Sequence, residues 1–163
     1  MNTTEKEVRM SIPAEAEFVD VVRLSLYGLA TRMGFSYEEI EDMKVAVSEA
    51  CNNAILHAYE SKSEGMIDIS FKTGPDRLTI SIRDYGQSFN YEEASEHATS
   101  LHDKQLHELK AGGLGIYMMQ ALMDEVIVHT RGGTEVILTK LRIGRGGETY
   151  GTEPYSADVN PQS

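Results

Sequence analysis

Apolar and polar positions along the chain alternate between two periods. Over residues 6–12, Val8, Met10 and Ile12 alternate with Glu7, Arg9 and Ser11, which predicts a strand that Pro13 ends. From Ala14 to about Met33 the spacing becomes helical, through Phe18, Val21, Val22, Leu24, Ser25 and Leu29, until Gly34 stops it. Residues 36–60 then read as one long helix. Ser36 is its N-cap, Glu39 completes a capping box, and Ile40, Met43, Val47, Ala54 and Ala58 share a stripe that should face a core. After the loop 61–65, Ile67, Ile69 and Phe71 alternate with polar residues, as do Leu78, Ile80 and Ile82 beyond the turn 73–76. That is a hairpin with one apolar face, an antiparallel pair packed on helices. From Gln87 to Lys110 no period survives, and a polar lid is expected there. Glycine-rich residues 111–115 run into a short apolar helix reaching Met123. A strand at 126–128, a turn at 131–133 and a last strand at 134–141 follow. From Gly144 the pattern is lost, and a disordered tail is expected.

Composition narrows the class. A chain of 163 residues, 40% hydrophobic and 25% charged, is the size and make-up of one globular domain with a core. No run approaches the ~18 apolar residues of a membrane span, and the first residues lack the apolar core of a signal peptide. Cys51 is the single cysteine, which excludes an internal disulfide. Together these features predict a cytoplasmic protein. The net charge of −11 argues against direct nucleic-acid contact, where Lys and Arg must displace counterions. It leaves room for a small anion held by backbone N–H groups.

Glu49 and Asn53 lie one helical turn apart, with His57 one turn further. A carboxylate can take a proton from an attacking hydroxyl, and an amide oxygen is a hard ligand for Mg²⁺. A surface helix also commonly shows Glu and Asn to water, so the pair alone leaves both readings open. Gly112-Gly113-Leu114-Gly115 would let backbone N–H groups approach a ligand, at a helix N-terminus with partial positive charge. It is neither a Walker loop nor the glycine loop of eukaryotic protein kinases, and by itself it also suits a tight junction. His97, His102 and His107 are spaced by five, which is not a helix-face metal pattern; a solvated lid fits them better.

The order of these motifs carries more than any one of them. Glu49-x-x-x-Asn53, Asp84-x-Gly86, a lid, Gly113-x-Gly115 and Gly133-Thr134 resemble the GHKL ATPase superfamily over roughly residues 6–142. Within it, the segment from Val47 to Tyr59 is most similar to the bacterial anti-sigma serine kinases. The resemblance implies an α+β fold: a two-layer α/β sandwich with a mixed, mainly antiparallel sheet and helices on one face. The domain would span residues 1–143, with the lid at about 87–110 and the tail at 144–163. ATP would sit between the helix layer and the lid. Asn53 would hold Mg²⁺ and Glu49 would be the general base. Asp84, in one turn with Gly86, would accept from the adenine amino group, supported by Thr134. Gly113, Leu114 and Gly115 would line the phosphates, with Lys110 as a cation near the terminal one. Arg23 occupies a place similar to that of a sigma-contacting arginine. The implied partners are a sigma-B-like sigma factor, a STAS-domain anti-anti-sigma factor and a second copy of the chain. Ser88 departs from the D-x-G-x-G of the wider superfamily, so a glycine hinge is not expected there. A histidine-kinase catalytic domain is the rival, but residues 1–35 are too few for a phosphorylated hairpin as well as the domain's own first strand and helix. A nucleotide-sensing module without transferase activity would not need Glu49.

Overall fold

The computed structural model describes residues 5–58, 65–86 and 113–142. The expected lid with Ser88, Lys110 and the three histidines, and the expected tail, lie outside the described residues, as does the side chain of His57.

Five strands form one sheet: β1 (Lys6–Pro13), β2 (Met66–Thr73), β3 (Arg77–Asp84), β4 (Glu125–His129) and β5 (Thr134–Leu141). Their order is β1-β2-β3-β5-β4. All four pairings are antiparallel, which refines the mixed sheet expected from the sequence. The period of two is visible in burial. Ile67, Ile69, Phe71, Leu78, Ile80, Ile82, Val136 and Leu138 are buried on one side, and the residues between them face out. Removing each such side chain from water contributes about 1.5–3 kcal/mol.

Among the described residues three helices cover the inner face: α1 (Val19–Met33), α2 (Tyr37–Asn53) and α3 (Gly113–Leu122). A 3₁₀ turn, Ala16–Phe18, leads into α1, so the α-helix starts later than its spacing suggested. Gly34, at φ 85°, closes α1 in the left-handed conformation that glycine adopts without penalty. The core face of α1 is Val19, Val22, Leu26 and Ala30. Val21 and Leu24 of the expected apolar set are instead 47% and 71% exposed. The helix carries apolar residues on two faces, and the period alone does not say which is inward.

The capping box on α2 is present. Glu39 N–H donates to Ser36 Oγ (3.2 Å) and Ser36 N–H to Glu39 Oε1 (2.8 Å). Ile40, Met43, Val47 and Ala54 are buried as expected. The long helix is not uniform, however: α geometry ends at Asn53, and a π-helical turn carries Ala54–Ala58. Residues 59–60 of the expected helix lie outside the described residues. Cys51, on the inner side of α2, is fully buried, and burial pushes its thiol up to about 12. At the far end of α3, Lys140 Nζ donates to the Leu122 carbonyl (2.7 Å), a cation on the open carbonyls of the helix terminus.

Candidate functional site

The phosphate-side candidates meet where α2 and α3 cross. Gly113, Leu114 and Gly115 form the first turn of α3 itself, whereas the sequence suggested a turn ahead of the helix. The first turn of a helix leaves backbone N–H groups without intrahelical partners and carries partial positive charge. That turn presses against α2. A Cβ added at Gly115 would lie 2.8 Å from Glu49 Oε2, 3.5 Å from Asn53 Nδ2 and 3.7 Å from Asn53 Oδ1. Any side chain at 115 would therefore displace the Glu49 carboxylate. The missing Cβ at Gly115 leaves the Glu49 carboxylate room at this spot, so that Glu49, Asn53 and the first turn of α3 lie around one point.

Asn53 is buried at 5% exposure, yet its Nδ2 has no hydrogen-bond partner among the described residues. Leaving a buried polar group unmatched costs about 1–3 kcal/mol. An amide that rests this way beside a half-buried carboxylate is suited to a guest. The unpaired N–H donor suits a phosphate or water oxygen. The amide oxygen of the same side chain, beside the Glu49 carboxylate, is the kind of oxygen ligand that Mg²⁺ takes together with waters and phosphates, so the residues present fit that ion.

The base-side candidates meet at the end of β3. Asp84 is buried at 3% exposure and stands opposite Thr134 in the β3–β5 register. Its Oδ1 accepts from the backbone N–H groups of Gly86 (3.1 Å) and Thr134 (3.3 Å). Burial raises the Asp84 pKa, and these two N–H groups oppose the rise. Gly133, at φ 115°, lies flat on this turn: a Cβ there would run into the Asp84 carbonyl oxygen and sit 2.8 Å from Tyr85 Cα. Sequence reasoning placed Gly133 in a turn but missed this second, steric reason for glycine. The β3–β5 register, had it been known, was the signal.

Arg23 is half-buried and reaches from α1 to α2, one residue before Glu49. Its guanidinium pairs with Asp20 and donates to Ser48 Oγ (2.9 Å), and Ser48 in turn donates to the Lys44 carbonyl (2.7 Å). With Asp20, Leu24, Tyr27 and Lys44 it lines a depression of about 480 Å³. A second depression, of about 750 Å³, lies on the outer face of the sheet, on the side away from Asp84. Lys110, expected near the phosphates, lies outside the described residues. Among those residues no helix is long and apolar enough to cross a membrane.

Comparison with known proteins shows the family. The sequence pattern of the family described as "Histidine kinase-like ATPase domain" matches residues 12–140. The chain is 46% identical over 145 residues to a serine-protein kinase RsbW of Bacillus pumilus, covering 86% of this chain and 88% of that one. It is 43% identical over 142 residues to the serine-protein kinase RsbW of Staphylococcus epidermidis, covering 86% and 89%. Among solved structures, the RsbU and RsbW domains of a Mycobacterium tuberculosis protein match with a TM-score of 0.60 at 22% identity. That match covers 83% of this chain and 32% of the other, and it speaks to the fold.

Proposed function

Since the chain belongs to the histidine kinase-like ATPase family and, within it, to the serine-protein kinases named RsbW, we propose that it transfers the γ-phosphoryl group of ATP to a serine of a protein. We propose further that this protein is an RsbV-like, STAS-domain anti-anti-sigma factor. In its other engagement the chain holds a sigma-B-like sigma factor, in the cytoplasm, as a dimer. The observation that carries the reading is the meeting of Glu49, Asn53 and Gly115 at one point, with Asp84 at the end of the neighbouring sheet.

The chemistry follows from those positions. Asp84 accepts from the adenine amino group, a contact that guanine, with a carbonyl there, does not offer. The first turn of α3 faces the phosphates with N–H groups at Gly113, Leu114 and Gly115. Asn53 would hold Mg²⁺, which supplies charge neutralisation at the phosphate oxygens. Glu49 takes the proton of the incoming serine Oγ–H. The new Oγ–P bond forms as the bond from the γ-phosphorus to the β,γ-bridging oxygen breaks, and ADP leaves. Such transfer relies on positioning and charge stabilisation, and the close packing of α2 on α3 provides both.

The test is transfer of label from γ-labelled ATP to a recombinant anti-anti-sigma partner, with its serine changed to alanine in a parallel reaction. Label that appears only on the unaltered partner supports the proposal. A chain that binds ATP and leaves every candidate partner unlabelled is a nucleotide-sensing module instead.

A further inference from the structure

The turn that carries Asp84 is held from two sides, and the second hold is on the outer face of the sheet. Along β3, Asp84 points inward, while its neighbours Arg83 and Tyr85 face the other way. Tyr85 is 55% exposed, yet its side chain is not loose. Its hydroxyl donates to Asp68 Oδ2 at 2.6 Å, and the Arg83 guanidinium lies 5.1 Å over its ring. Asp68 also accepts from the hydroxyl of Ser11 on β1, and Arg83 lies 4.0 Å from Glu135 of β5. Ser11, Asp68, Arg83 and Glu135 are successive partners across β1, β2, β3 and β5, so Tyr85 is tied to a row that crosses four strands. On the inner side, Gly133 lies against the Asp84 carbonyl and Tyr85 Cα with no space for a side chain.

We infer that Tyr85 is a positioning residue for nucleobase recognition: its hydroxyl, anchored on Asp68, and the backbone of Gly133 together clamp the Asp84–Gly86 turn so that the Asp84 carboxylate is set for adenine. The inference rests on the proposed adenine contact of Asp84. It goes beyond that reading in giving a role to Tyr85 and Gly133, which the adenine contact of Asp84 does not itself use. The physical reason is local. Asp84 is fixed by two N–H bonds to one oxygen, and one of those N–H groups belongs to Gly86. If the peptide at Tyr85 swings, Gly86 N–H moves with it and the carboxylate turns. A tyrosine hydroxyl is well suited to hold that peptide. Its bond to the Asp68 carboxylate pushes its pKa up, so it remains a donor, while the same bond helps hold Asp68 ionised.

The experiment measures equilibrium binding of ATP and of GTP, with magnesium, to the full chain and to Tyr85→Phe, which removes only the hydroxyl. The expected result is a three- to ten-fold weaker ATP affinity, roughly the value of one hydrogen bond, with GTP unchanged, so that base preference falls by the same factor. Asp68→Ala reaches the same contact from the other side and should give the same fall. The double variant should lose no more than either single one. Circular dichroism and melting establish that each variant is folded, and if one is not, the other carries the test. Equal loss for ATP and GTP means a general structural role and overturns the clamp, as does an unaltered ATP preference in both variants. A wild-type chain that binds GTP as well as ATP removes the adenine reading of Asp84 itself, an outcome distinct from failure of the clamp alone.

Discussion

Asp84 and Asp68 stand one register position apart on neighbouring strands, and that single step puts them on opposite faces of the sheet. Asp84 faces the helix layer, is buried, and has its pKa raised by that burial. Asp68 faces out, takes hydroxyl bonds from Ser11 and Tyr85, and has its pKa lowered by them. The difference extends to the two faces. Outside, charges are matched among themselves: Glu7 with Arg9 and Ser70, Arg83 with Glu135. Inside, a buried amide nitrogen on Asn53 has no partner among the described residues, and a carboxylate is kept where burial disfavours its charge. A fold selected for stability alone would reverse that allocation. Polar groups left unmatched at a cost mark where a ligand belongs.

The strongest way to sharpen the contrast is at Glu49. Glu49→Ala should lower phosphoryl transfer by about 10²–10⁴, the usual contribution of a general base, while Mg-ATP still binds. Single-turnover transfer and nucleotide titration separate the two. A variant that transfers at the wild-type rate would show that the inner carboxylate is not the base.

Next is Asp84→Asn, which presents an NH₂ where an acceptor is needed. Losing a charged hydrogen bond in a pocket costs about 1.5–3 kcal/mol, so ATP affinity should fall at least ten-fold. Titration with a fluorescent ATP analogue reads this directly, and an unchanged affinity would remove Asp84 from the base site. On α1, Arg23→Ala should weaken sigma-factor binding several-fold, of the order of one exposed charged contact, and leave ATP affinity where it was. Paired calorimetric titrations check both halves, and a parallel loss of ATP binding would mean that Arg23 acts through Ser48 on α2.

The smallest effect is in the titration of the two aspartates. Asp84, raised in the fold, is less easily ionised there than in the unfolded chain. It therefore lowers stability above its folded pKa, and that burden lifts as pH falls through it. On the proposed adenine contact ATP binding needs the carboxylate, so affinity should fall over the same interval, above the ordinary Asp range. Asp68, lowered in the fold, adds stability above its unfolded pKa that is lost as pH falls through the folded value. Carboxyl carbon NMR should show Asp84 titrating above Asp68. The reverse order would break the comparison.

What was legible in the residues themselves is local structure, while the candidate site came from the order of motifs along the chain. The capping box and the one-turn spacing of Glu49 and Asn53 depend on neighbours a few residues away, whereas Asp84 was singled out only by the order of motifs that carries the family resemblance. What was not legible depends on where distant elements touch. The helical period in α1 is satisfied by two apolar faces, and only the sheet decides that Val22 and Leu26 are inward while Leu24 is not. Nothing in Ala54–Ala58 announces a π turn, since every residue there also suits an α-helix. The joint demand on Gly115 and Gly133 arises from α2 and β3 respectively, which the glycines' own surroundings in sequence do not reveal.

Cys51 gives the molecule a built-in clock. With its thiol pushed up to about 12, the reactive thiolate is a vanishing fraction at neutral pH, and the side chain is fully buried in the closed fold. Alkylation can then proceed only during moments when the helix layer parts from the sheet, so the labelling rate counts those openings. Because Cys51 is carried by the same helix as Glu49 and Asn53, the count reports on the helix that holds both candidate residues, and no engineered probe is required.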